Sequence, residues 1–128
     1  YQLKIDGQPV GTYADEELEA GIELAANEKT PQYQQALKVA TLNKERNDKV
    51  YHPIRDQYGA LKGKRRELTK AIEKSDPDLE AKKAEFEKWQ ATMKQTVTDL
   101  LAKAKALEDQ IYSENQPKPH QYEISLAL

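Results

Sequence analysis

The chain contains no cysteine, and only one methionine, one tryptophan and one phenylalanine among 128 residues. The missing cysteine excludes disulfides and thiolate metal sites and leaves the cellular compartment open. No apolar run reaches the ~18–20 residues that a bilayer-spanning helix needs, so no membrane partner is expected. Neither sign of charge dominates: 20 Lys and Arg stand against 22 Asp and Glu, a net charge of −2. A nucleic-acid domain usually carries a clear basic excess, so no nucleic-acid partner is expected either. What is abundant is charge. Charged residues make up 33% of the chain and apolar residues 38%, against roughly 25% and ~45–50% in an average domain. That balance favours long solvated helices in a single domain over a bulky core. The first residue is Tyr1, already inside a strand pattern, with no Met and no signal-peptide pattern before it. A fragment of a longer polypeptide is expected, extracytoplasmic if that polypeptide carries a signal peptide.

Residues 1–13 read as a β-hairpin. Tyr1, Leu3 and Ile5 alternate with polar neighbours, the period of a half-buried strand. Asp6-Gly7 supplies a tight two-residue turn, and Pro9 marks an edge position. Residues 14–26 read as a short helix with Asp15, Glu16 and Glu17 in its first turn, where negative charge meets the positive end of the helix dipole. Its apolar face is Leu18, Ile22 and Ala25. Thr30-Pro31 caps and opens a long helix over residues 31–74. Pro53 interrupts it, which predicts a kink near Asn47 to Tyr51, or two helices meeting there. Ser75-Asp76-Pro77-Asp78 punctuates the chain. Residues 77–115 follow with a heptad, Leu79, Phe86, Met93, Leu100 and Leu107 in one seam and Lys83, Gln90, Val97, Ala104 and Ile111 in the other. The polar seam positions lie early, so the C-terminal end should pack better. So short a turn makes the two helices antiparallel. Residues 121–127 alternate as a final strand. The expected fold is mainly α, a long antiparallel helical hairpin on a small antiparallel sheet formed by the N-terminal hairpin and the C-terminal strand.

Chemistry-bearing groups are sparse. Ser75, Ser113 and Ser125 are the only serines, and none sits in a glycine-flanked elbow. Asp48 and His52 share a helix face and read as a surface pair. His120 reads as a loop histidine. No spacing suggests a metal site, and no cofactor is expected. Lys62, Lys64, Arg65 and Arg66 read as a solvated face. Gly59 and Gly63 form a G-x-x-x-G step expected to let another backbone approach. Trp89 reads as packing against Phe86 and Met93. Asn43 and Asn47 interrupt the apolar stripe of the first long helix. They read either as register-setting contacts inside the hairpin or as a polar surface offered to a neighbouring domain.

The order of several motifs is informative. The segment Tyr1 to Tyr13, then Glu16-Glu17-Leu18 and Gly21 to Ala25, Thr30-Pro31 with Gln35-Ala36, Arg46-Asn47-Asp48, and Pro117 to Ile124 together resemble the C-terminal region of bacterial SGNH hydrolases, the GDSL-type lipases and acylhydrolases. The resemblance is weakest across residues 55–115. It departs from the family at Ala14, where a capping serine is expected. The resemblance implies a missing N-terminal hydrolase domain in the same polypeptide, bearing the G-D-S block, the oxyanion donors and the D-x-x-H pair. None of these blocks is present here, so the resemblance implies no catalytic residue in this chain. Its implied role is a non-catalytic appendage that packs on or caps the catalytic domain, with Asn43, Asn47, Tyr51 and Arg55 as the interdomain surface. The alternative is a stand-alone coiled-coil or chaperone-like module forming a homodimer through exposed heptad positions. Under the first reading the purified chain hydrolyses no simple ester above background, and measurable turnover in a spectrophotometric assay would contradict it.

Overall fold

The computed structural model describes residues 1–127. The chain is mainly helical, with one three-stranded antiparallel sheet. It divides into two compact units. Tyr1–Leu42 together with the residues from Ile111 onward form the first, and Asn43–Gln110 the second.

In the first unit, β1 (Gln2–Ile5) and β2 (Gln8–Thr12) form the hairpin, and β3 (Tyr122–Ser125) pairs with the other side of β1, giving the order β2-β1-β3. Asp6 and Gly7 both take positive φ, 51° and 78°, which is what a hairpin turn matched to strand twist requires. The β1–β2 register jumps from Leu3↔Gly11 to Lys4↔Pro9. Val10 is therefore an extra, bulged residue, placed beside the proline that cannot donate to a ladder. Leu3, Ile5 and Val10 form the buried cluster, with Tyr13 and Leu24 packed against it. Gly11 makes room for Tyr13. A Cβ there would lie 2.3 Å from the Tyr13 hydroxyl oxygen and 2.5 Å from Cζ.

Helix α1 spans only Asp15–Ala20, not residues 14–26. Gly21 leaves the helical region with φ 94° and ψ 141°, so residues 21–26 are irregular. The expected face of Leu18, Ile22 and Ala25 does not form; Leu24 reaches the core instead. Ala14 offers no side-chain cap, but its N–H donates to the Glu17 carboxylate at 2.7 Å, the half of a capping box that needs no serine. Helix α2 (Pro31–Arg46) has a full cap. The buried Thr30 hydroxyl donates to the Asn27 carbonyl at 2.8 Å and accepts the Tyr33 N–H at 3.2 Å. Beside it, α4 (Leu79–Glu114) ends against α2: Lys38 pairs with Glu114 at 2.7 Å, and the Gln35 amide donates to the Glu114 and Gln116 carbonyls.

In the second unit a π-helical turn, Asn47–Tyr51, leads directly into α3 (His52–Glu73). The turn into α4 is a Schellman motif. The Ser75 N–H donates to the Ile72 carbonyl and the Asp76 N–H to the Ala71 carbonyl, with Ser75 at φ 51°. Leu61, Met93 and Val97 form the buried cluster, flanked by Phe86 and Trp89. Every heptad position named above is buried or half-buried. The four fully buried residues of α4, Met93, Val97, Ala104 and Leu107, run from its fifteenth residue to its twenty-ninth, and none lies in its first four turns. Lys83 and Gln90, the polar seam residues, hold the earlier, looser end. No other backbone of this chain approaches Gly59 or Gly63: a Cβ at either meets nothing within 4 Å among the described residues.

These geometries set opposite signs for small substitutions. Gly59→Ala and Gly63→Ala should each raise the stability of this chain by about 0.5–1 kcal/mol, since glycine only costs entropy in an open helix interior. Ser75→Gly should do so by about 1 kcal/mol by relieving the left-handed conformation. Gly11→Ala should lower stability, because it displaces Tyr13 from the core cluster. Urea denaturation of the four variants checks all of these, and a stabilised Gly11→Ala would contradict the packing described.

Candidate functional site

Pro53 dictates the local geometry of the second unit. It has no N–H to offer the carbonyl four residues back, and its ring crowds that carbonyl. Widening the preceding turn accommodates both, and the His52 N–H reaches back five residues to the Asn47 carbonyl. Such π-bulges recur at functional sites because they re-aim side chains out of helical register. The predicted kink segment, Asn47 to Tyr51, is this π-turn. Val50, the fourth of its five residues, is fully buried, so the turn is pinned from inside.

Around Val50 the polar side chains divide into two groups. Arg46, Tyr51 and Glu108 close a triangle: the Tyr51 hydroxyl donates to Glu108 Oε1 at 3.1 Å, Arg46 Nη1 lies 3.5 Å from the same oxygen, and the guanidinium carbon stands 5.6 Å from the Tyr51 ring centre. Hydrogen bonding to Glu108 holds the Tyr51 hydroxyl above the ordinary tyrosine range, because ionising it would set an anion against a carboxylate. Arg46 Nε is buried with no hydrogen-bond partner among the described residues. The second group is exposed. Asp48 pairs with Lys44, which holds its carboxyl below the usual range, and stands 3.6 Å from His52 Nδ1. Asp48 and His52 thus form a solvent-facing pair within one turn.

Of the four residues expected at an interdomain surface, Tyr51 alone joins the triangle. Asn43 is half-buried in α2; Asn47, in the π-turn, and Arg55, on α3 beside Asp56 at 3.6 Å, are exposed. Neither Asn43 nor Asn47 forms a side-chain hydrogen bond among the described residues. The register-setting contacts weighed for them are therefore absent, and both amides remain open. Arg46 and Glu108 were missed by sequence reasoning. They stand far apart in the chain, and only the meeting of two helices brings them together.

One further pair has the form of an oriented base. In the first unit, His120 Nδ1 lies 2.7 Å from Asp6 Oδ2, and the Gln121 N–H donates to Asp6 Oδ1 at 2.9 Å. The Gln121 N–H and then His120 hold the Asp6 carboxyl below its ordinary value. His120 is therefore tied to the hairpin turn and is not a plain loop residue. Ser75, Ser113 and Ser125 lie in the helix–helix turn, α4 and β3 respectively, and among the described residues none is hydrogen-bonded to either histidine. The pair works as a clamp that fastens the start of β3 to the β1–β2 turn. An open cleft of about 400 Å³ in the second unit is lined by Lys64, Glu67, Leu68, Lys82, Glu85 and Phe86. Its charges balance, and no hydroxyl, thiol or imidazole lines it. Trp89 packs in the core cluster, with Lys64 Nζ 5.2 Å from its ring centre. Among the described residues no cluster of metal-ligating side chains occurs, and no helix is long and apolar enough to cross a membrane.

No protein-family model and no curated protein matches the chain. A solved structure does: a gut microbial diltiazem-metabolizing enzyme, 32% identical, with a TM-score of 0.66. The match covers 95% of this chain and 30% of that one, so the chain spans under a third of the enzyme's length.

Two outcomes follow from the geometry. Glu108→Ala should bring the Tyr51 hydroxyl back toward the ordinary tyrosine value, readable as the Tyr51 Cζ shift against pH; an unmoved titration would contradict the hydrogen bond. The Asp6 clamp has a definite sign. A carboxyl held low contributes its stability above its unfolded value near 3.8 and loses it as pH falls through its folded value. β3 amides should therefore lose exchange protection at acid pH in the wild type, and already at neutral pH in Asp6→Asn.

Proposed function

We propose that this chain is the non-catalytic C-terminal part of an SGNH-type ester hydrolase and packs on or caps the catalytic part. One observation supports the reading of this chain as part of a larger enzyme: nearly the whole chain matches a segment that makes up 30% of an enzyme at 32% identity. A unit that is a minor part of an enzyme, with no serine or threonine hydroxyl bonded to either of its Asp–His pairs among the described residues, fits an accessory role. The motif order from the Tyr1–Tyr13 segment to Pro117–Ile124 points to the SGNH class.

In this reading the π-turn is the working surface. It exposes Asn47 and the Tyr51 ring, the Tyr51 hydroxyl being taken by Glu108; the Asn43 amide, on α2, and the Asn47 amide are unpaired among the described residues, and Arg55 lies one turn further along α3. These groups suit hydrogen bonds to a neighbouring domain. The stand-alone coiled-coil reading finds less support, because the heptad seam of α4 is turned inward.

The test begins with the coding sequence upstream of Tyr1, which should contain G-D-S and D-x-x-H blocks. The protein it encodes should hydrolyse an aryl acetate. In that protein Asn47→Ala and Arg55→Ala should lower kcat/KM, while the isolated variants keep the wild-type thermal midpoint because both side chains are exposed. An upstream sequence without those blocks would overturn the reading.

A further inference from the structure

The two edges of the sheet are finished differently. β2 carries Pro9 and the bulge at Val10, devices that blunt an edge against further pairing. β3 reads Tyr122-Glu123-Ile124-Ser125, without proline, lysine or bulge. The Asp6 N–H donates to the Gln121 carbonyl. By the alternation of an antiparallel ladder, the backbone groups of Tyr122 and Ile124 then point away from β1. Their side chains lie directly opposite Ile5 and Leu3, and opposed residues share a face of the sheet. Ile5 and Leu3 are 1% and 5% exposed, whereas Tyr122 and Ile124 are each 55% exposed and Leu126 73%. The apolar face of the core thus runs outward to an edge whose backbone is open and whose Tyr122 and Ile124 side chains are more than half exposed, the Tyr122 hydroxyl being held by the Gln32 amide at 2.5 Å.

We propose that β3 is the docking edge for the longer polypeptide. An extended segment of that polypeptide adds to β3 as a fourth strand, and apolar side chains at its alternate positions cover Tyr122, Ile124 and Leu126. This rests on the reading of the chain as part of a larger hydrolase. Three observations select this occupant. The exposed patch is continuous with the core. The β2 edge carries a proline and a bulge, and the β3 edge carries neither, its one charge being Glu123. The matched enzyme carries this unit within a chain of which it forms 30%.

Amide hydrogen exchange at Tyr122 and Ile124 tests it, comparing this chain with the full product of its coding sequence. In the longer protein exchange should slow by about 100-fold. Ile124→Lys, which leaves the isolated chain's circular dichroism and thermal midpoint unchanged, should restore fast exchange and let limited proteolysis separate the two parts. Unchanged exchange in a longer protein that has the G-D-S and D-x-x-H blocks overturns the docking edge and leaves the hydrolase reading standing. Slowed exchange in a longer protein that lacks those blocks keeps the docking edge and overturns the hydrolase reading. Protection already present in the isolated chain, with a dimer in sedimentation, overturns the proposal in favour of a second copy. A coding sequence that adds no residues overturns both.

Discussion

Strand β1 is paired on both sides, and one of its partners comes from the far end of the chain. Everything in the first unit depends on that closure. Without β3, β1 and β2 would be a lone hairpin, which is marginal in water. The entropic cost of so long a loop is modest, since each doubling of loop length adds only about 0.6 kcal/mol. The closure is then fastened by the Asp6 backbone and carboxylate, which grip Gln121 and His120. A turn that needs Asp-Gly for its positive φ therefore also supplies the anchor for the last strand.

The second unit is organised around a missing hydrogen bond. Pro53 cannot donate, the preceding turn widens, and the residues of that turn leave helical register. Val50 is driven fully inside while Asn47 and Tyr51 turn outward. The Arg46–Tyr51–Glu108 triangle ties the widened turn to α4. The place where the helix is least regular is thus held by a buried apolar contact and a charged hydrogen bond. A polar surface in such a frame is pre-organised, which lowers the cost of docking a neighbour.

The sequence made the local devices legible. Alternation located β1 and β3, Thr30-Pro31 marked the start of α2, and the seven-residue repeat named the inward residues of α4 down to its better-packed end. Pro53 marked the π-turn because proline's effect is confined to the preceding turn. What was illegible depends on distance or on empty space. The contacts of Asp6 with His120 and of Arg46 with Glu108 join residues that share no spacing signal. The end of α1 at Ala20 was hidden because residues 22–26 keep a helical apolar pattern after Gly21 has broken the backbone. Gly59 and Gly63 spell a packing motif, yet whether anything fills the space beside them is a property of the fold.

The central claim is that the chemistry lies outside this chain. A serine-reactive fluorophosphonate, applied to the full product of the coding sequence and mapped by mass spectrometry, tests it directly. The account predicts one labelled serine in the G-D-S block upstream of Tyr1. A label on Ser75, Ser113 or Ser125 would contradict it.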